Sequence, residues 1–103
     1  MEFEEFIDEV LEFLTREFRE QQKERGIHVW NAGYQNVNAD MTVIEARVDF
    51  SIGEPVDLLF IDGKYDDVYV FTYNEGWEEI GNYGLNEKGL ETCKKDLIEY
   101  FFE

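Results

Sequence analysis

Residues 42–73 read TVIEARVDFSIGEPVDLLFIDGKYDDVYVFTY, and this stretch decides the fold. From 42 to 50 the side chains alternate. Thr42, Ile44, Ala46, Val48 and Phe50 share one face, and Val43, Glu45, Arg47 and Asp49 share the other. A period of two belongs to a β-strand, and charge confined to one face marks a half-buried antiparallel strand. Gly53-Glu54-Pro55 is a turn. Val56 to Ile61 is almost continuously apolar, which predicts a strand in the centre of the sheet. Asp62-Gly63 is a hairpin signal between two such runs. Asp67 to Tyr73 is the next strand, with Val68, Val70 and Thr72 opposed to Tyr69, Phe71 and Tyr73.

Upstream, Ile27-His28-Val29-Trp30 begins the first predicted strand, with Gly33 as a bend or bulge. Downstream, residues 74–84 hold three glycines, two asparagines and Trp77, a composition that predicts a loop or irregular edge. Helices bracket the strands. Phe3, Phe6, Ile7, Val10, Leu11, Leu14 and Phe18 recur at spacings of three and four, the stripe of one amphipathic helix over residues 3–25. Its first turns are acidic and its last turns carry Arg16, Arg19, Lys23 and Arg25, an order that suits the helix dipole. Gly26 fits a left-handed closing residue. The last helix spans 87–102, with Asn86 as N-cap, Leu85 and Leu90 as a hydrophobic staple, and Leu90, Cys93, Leu97, Ile98 and Phe101 as its apolar stripe. Gly89 weakens its first turn by about 1 kcal/mol relative to alanine.

The expected order is therefore α-β-β-β-β-α. That is an α+β fold in which a four-stranded antiparallel meander is flanked by N- and C-terminal helices, as a two-layer sandwich with both helices on one sheet face. The 103 residues fit a single acidic domain over 1–103, without repeat or linker.

Composition narrows the function classes. There are 25 acidic and 9 basic residues, a formal charge of -16. Such a surface repels nucleic acid and anionic membranes, so neither is expected as a direct partner. With 44 % apolar and 17 % aromatic residues the chain is too rich in core formers for an acidic disordered tail. No apolar run reaches the roughly 18 residues of a membrane helix, and the acidic N-terminus does not resemble a signal peptide, so a cytoplasmic location is expected.

Signals for chemistry are sparse. His28 is the only histidine and Cys93 the only cysteine. One histidine without a partner makes neither a triad nor a zinc site, and a thiol on an apolar helical stripe reads as buried and inert. Asp49, Asp62 and Lys64 form an acid followed by Asp-x-Lys, a pattern that resembles the PD-(D/E)xK nucleases. That resemblance implies carboxylates holding Mg²⁺ and a lysine assisting the attacking water. The net charge opposes approach of a polyanionic substrate, and Asp-Gly is already explained as a turn. Asp62, Asp66 and Asp67 do not follow an EF-hand spacing. No enzymatic activity, metal or cofactor is expected.

The distribution of charge points elsewhere. Residues 1–14 hold six acids and no base, and residues 62–87 hold seven acids and one base. A domain of this length is roughly 33 Å across. Sixteen net charges on that span come to about one per 2 Å, close to the one per ~1.7 Å of duplex DNA. At class level the chain resembles phage-encoded DNA mimics, among them anti-CRISPR proteins and nuclease or restriction inhibitors. That resemblance implies a small acidic inhibitor that binds a basic, nucleic-acid-handling protein surface. Glu5, Asp8, Glu9, Glu12, Asp62, Asp66, Asp67, Glu75, Glu78 and Glu79 would stand in for phosphates, and Trp77 would be the apolar anchor. The alternatives are an immunity or antitoxin protein for a cationic toxin, and a metal-dependent nuclease-like enzyme built on Asp49, Asp62 and Lys64. Either a monomer or a homodimer is compatible with the aromatics Tyr100, Phe101 and Phe102.

Overall fold

Seven elements follow one another in a computed structural model that describes residues 1–16, 26 and 28–102. They are α1 (Phe3–Thr15), β1 (Val29–Val37), β2 (Val43–Phe50), β3 (Val56–Asp62), β4 (Asp67–Tyr73), β5 (Trp77–Gly84) and α2 (Glu87–Phe102). The strands form one antiparallel sheet in the order β1-β2-β3-β4-β5, with β3 in the centre as its apolar composition requires. The fold is α+β, and its extents are 39 × 27 × 19 Å.

Alternation along the strands decides which side chains enter the core. Ile44, Ala46 and Val48 of β2, Leu58 and Phe60 of β3, and Val68, Val70 and Thr72 of β4 are buried. All of these but Thr72 form one apolar cluster with Phe3, Phe6, Ile7, Val10, Leu11, Phe13 and Leu14 of α1 and with Leu90, Cys93 and Leu97 of α2. Burying one such side chain contributes ~1.5–3 kcal/mol. A like-charge pair on the solvent face of α1 costs only a few tenths of a kcal/mol. Burial wins by an order of magnitude, and the helix carries its carboxylates without losing its fold.

The sheet has five strands, not four. Residues 77–84 form β5, where glycine and asparagine predict a loop, because each of these residues has a tertiary role. Ile80 is the extra residue of a bulge opposite Val70 and Phe71 and packs against the core. A Cβ at Gly81 would meet the Tyr83 ring, which is buried over that position. Asn82 Nδ2 donates to Asp67 Oδ2 at 2.9 Å. The first strand begins at Val29 and runs to Val37. Gly33 pairs regularly with Arg47. The register shifts instead between Val29 and Asn31 and between Tyr34 and Asn36.

At the N-terminus, α1 stops at Thr15, where the Thr15 hydroxyl donates to the carbonyls of Leu11 and Glu12 at 3.1 Å each. The expected continuation to residue 25, with Phe18, Arg19, Lys23 and Arg25, lies outside the described residues, as does Ile27. Gly26 has the left-handed φ expected of it, 77°. At the other end, Asn86 caps α2 by accepting from Gly89 N–H at 2.8 Å. Leu90 is buried and Leu85 packs beside it. Gly89 is no mere weakness of this turn, since a Cβ there would collide with the backbone of Gly84.

Candidate functional site

The β3–β4 connection places the first group of predicted carboxylates. Gly63 does not supply the left-handed residue of this turn; Asp66 does, with φ 53°. Aspartate tolerates that conformation better than most residues. The Asp66 carbonyl accepts from Leu85 N–H at 2.8 Å, which fastens the turn to the start of α2 and leaves the Asp66 carboxylate exposed. Asp67 is instead part of the scaffold. Its Oδ1 accepts from Tyr65 N–H at 3.3 Å and its Oδ2 from Asn82. Its carboxylate also fills the space a Cβ on residue 63 would need, which is why glycine stands there.

The start of α1 meets this turn. Glu2, Phe3, Glu4, Met41 and Asp62 line a cleft of about 390 Å³. Burial raises the Asp62 pKa above its ordinary value, and the negative charges of Asp67, Asp66 and Glu2 raise it further. Two acidic segments that are 60 residues apart in the chain thus act on one carboxyl group. From there Glu5, Asp8, Glu9 and Glu12 continue along the exposed face of α1. Neighbours at i and i+4 are ~5–6 Å apart, and thirteen helical residues at ~1.5 Å each give a strip of about 20 Å. Asp8 Oδ1 accepts from the Tyr34 hydroxyl at 2.6 Å, which aims this carboxylate toward β1. Burial and this bond raise the Tyr34 pKa above the usual phenol value. At its far end the strip is closed by the Arg16–Glu12 ion pair at 2.7 Å and by Lys94, whose ammonium lies 5.3 Å from the Phe13 ring centre.

Glu75, Trp77, Glu78 and Glu79 are not part of this strip. They lie toward the far end of β4, where Trp77 pairs with Tyr73 and Glu79 with Phe71, six and four steps of ~3.4 Å along the strand from Asp67, about 20 and 14 Å. Glu75 occupies the β4–β5 turn with φ 61°. Glu78 pairs with Thr72 and Glu79 with Phe71, so the two carboxylates point to opposite faces of the sheet. Trp77 is exposed and meets Tyr73 edge to face at 5.3 Å.

The nuclease-like residues do not converge. Asp62 N–H bonds to the Thr42 carbonyl at 2.8 Å, and Asp49 is seven residues further along β2, about 23 Å away. Among the described residues no three His, Cys, Asp or Glu side chains are arranged to hold a metal ion. His28 opens the pairing of β1 with the end of β2 through its backbone, donating to Ser51 Oγ at 3.1 Å. Cys93 is buried, and burial drives its thiol pKa far up. No helix among the described residues is long and apolar enough to cross a membrane.

Glu2 and Glu4 are absent from the residues singled out in the sequence, although the acidity of the first turn was the signal for them. Tyr34 is absent as well, since nothing in its sequence neighbourhood connects it with Asp8. No family model, no curated protein and no solved structure matches this chain.

Proposed function

We propose that this chain is a small acidic binding protein, without catalytic activity of its own, that occupies a basic nucleic-acid-binding surface on a partner protein in the cytoplasm. The two-layer arrangement, with both helices on one sheet face, belongs to this reading, because it leaves the polar face of α1 free along its length. The observation that supports it best is the joining of the α1 carboxylates to the β3–β4 turn at Asp62. There, charges that repel one another in the folded chain are nevertheless gathered together. A phosphate-mimicking role accounts for that arrangement, since a row of fixed anions presents to lysine and arginine what a nucleic-acid backbone presents.

Glu5, Asp8, Glu9 and Asp66 carry exposed charge; Asp8 also accepts from Tyr34 and Glu5 from the Glu2 N–H, while the half-buried Asp67 is tied to Asn82 and Tyr65. The test is inhibition. A nucleic-acid-binding protein captured by this chain at low salt is titrated with a labelled duplex, with and without the chain. Competition that weakens steeply with salt, and that drops at least tenfold in the variant Glu5→Lys, Glu9→Lys, Asp66→Lys, is the expected result. Capture that is indifferent to both salt and these reversals would overturn the reading.

A further inference from the structure

The strand positions that alternate with the core residues form a second face of the sheet, which mixes charged groups, the Arg47–Asp57 ion pair at 3.0 Å among them, with apolar and aromatic side chains. The register aligns Glu45, Leu59, Phe71 and Glu79 in one row across β2 to β5, so that two apolar side chains stand between two carboxylates. Three strand spacings of ~4.8 Å separate the carboxylates by about 14 Å. The rows on either side contribute Ile61 with Tyr69, and Tyr73 with Trp77. Tyr69, Tyr73 and Trp77 are 37 %, 52 % and 43 % exposed.

We propose that this face is the docking surface for an arginine-bearing, aliphatic segment of a basic protein. The proposal rests on the reading of the partner as basic and adds where its apolar contact lies. Guanidinium groups stack on tyrosine and tryptophan faces and pair with carboxylates, while leucine-like side chains cover Leu59 and Phe71. Tyrosine and tryptophan flanked by charge are the residue types that dominate binding energy at interfaces.

Two other occupants fit less well. A second copy would bring another charge of -16 against this one. Strand addition at an edge is hindered on both sides. β1 is broken by register shifts at Trp30 and Gln35, and β5 is broken at Ile80.

The test uses two twelve-residue peptides of equal charge, one alternating arginine with leucine and one alternating lysine with serine, titrated at low salt into the isotope-labelled chain. The expected result is that the arginine–leucine peptide binds at least tenfold more tightly and shifts signals of Leu59, Phe71, Tyr73 and Trp77. The double variant Tyr73→Ala, Trp77→Ala is expected to lose at least tenfold in affinity. Glu45→Lys with Glu79→Lys, which leaves the apolar area intact, should do the same. Equal binding of both peptides, with shifts confined to α1, would overturn docking on this face and leave the basic-partner reading standing. No binding of either peptide would overturn both. Concentration-dependent dimerisation abolished by Trp77→Ala would also overturn it, by making a second copy the occupant.

Discussion

Tyr83 of β5 donates its hydroxyl proton to Asp96 Oδ2 of α2 at 2.7 Å, and this bond ties the edge of the sheet to the last helix. The ring is buried and crosses Gly81, while the half-buried carboxylate has no comparable donor nearby in the described structure. Tyr83→Phe keeps the packing and removes the donor, so it is expected to lower unfolding free energy by about 1–2 kcal/mol in urea titrations. Burial and the Asp96 bond raise the Tyr83 pKa above the usual phenol value. The folded chain therefore holds this proton where the unfolded chain releases it. The tyrosine's contribution is complete below pH ~10 and is lost as pH rises above that. Tyr83→Phe should flatten the alkaline loss of stability.

Gly89→Ala inverts a familiar rule. Alanine in place of a helical glycine ordinarily gains about 1 kcal/mol. Here the new Cβ would fall on the Gly84 backbone, which cannot move aside as a flexible side chain would. A net loss of about 1–3 kcal/mol is expected, as for overpacked sites, measured by thermal or urea unfolding.

Thr72 is fully buried on the inner face of β4, and its Oγ1 has no hydrogen-bond partner among the described residues. A buried hydroxyl without a partner is costly, and valine has the same shape. Thr72→Val should therefore stabilise the chain by about 1 kcal/mol, read as an increase in the urea midpoint at unchanged slope. The β4 strand tolerates the change because its backbone pairing is unaffected.

Asp62 offers a pH test of the charge cluster. Its folded-state pKa is raised, so the folded chain binds this proton more tightly than the unfolded chain does. The sign follows directly. Stability is lost as pH rises from the unfolded carboxyl range, roughly 3.9, through the raised folded value, and the loss is complete above it. Asp62→Asn should raise the Tm at pH 7. The gain should be no more than about 0.5 kcal/mol, because solvent screens this partly exposed site. The difference should vanish in acid and shrink with added salt. A variant as stable as the parent at every pH would mean that the carboxylates of α1 and the β3–β4 turn do not act on one another.

Cys93 should be silent in the native chain. Its buried position and raised thiol pKa predict no labelling by a thiol reagent until the chain unfolds. Labelling rates in urea would then follow the global unfolding transition.

What could be read from the sequence followed its local periodicities. The alternation at 42–50 placed its inward residues; the alternation at 67–73 separated two faces, the apolar run at 56–61 marked the central strand, and the stripe of α1 found its core face except Phe13, all of them local patterns. The Asn86 cap was legible for the same reason, since donor and acceptor are three residues apart. β5 was not legible. Its glycines and asparagines are weak strand formers alone, and the strand exists because Tyr83, Ile80 and Asn82 find partners on α2, in the core and on β4. The site divided in the same way. The exposed acids of α1 could be listed from sequence, but not which carboxylates meet.

The amino-acid sequence by itself determined the charge, the alternation that separates core from surface, and the α+β order of elements, because these depend on residue type and on contacts within one turn or one strand. Tertiary structure alone decided that Glu2 lies against Asp62, that Asp49 stands far from it, and that Leu59, Ile61, Tyr69 and Phe71 share an open face with Trp77. Such proximities are set by strand register and helix placement, and those come from the packing of the whole core.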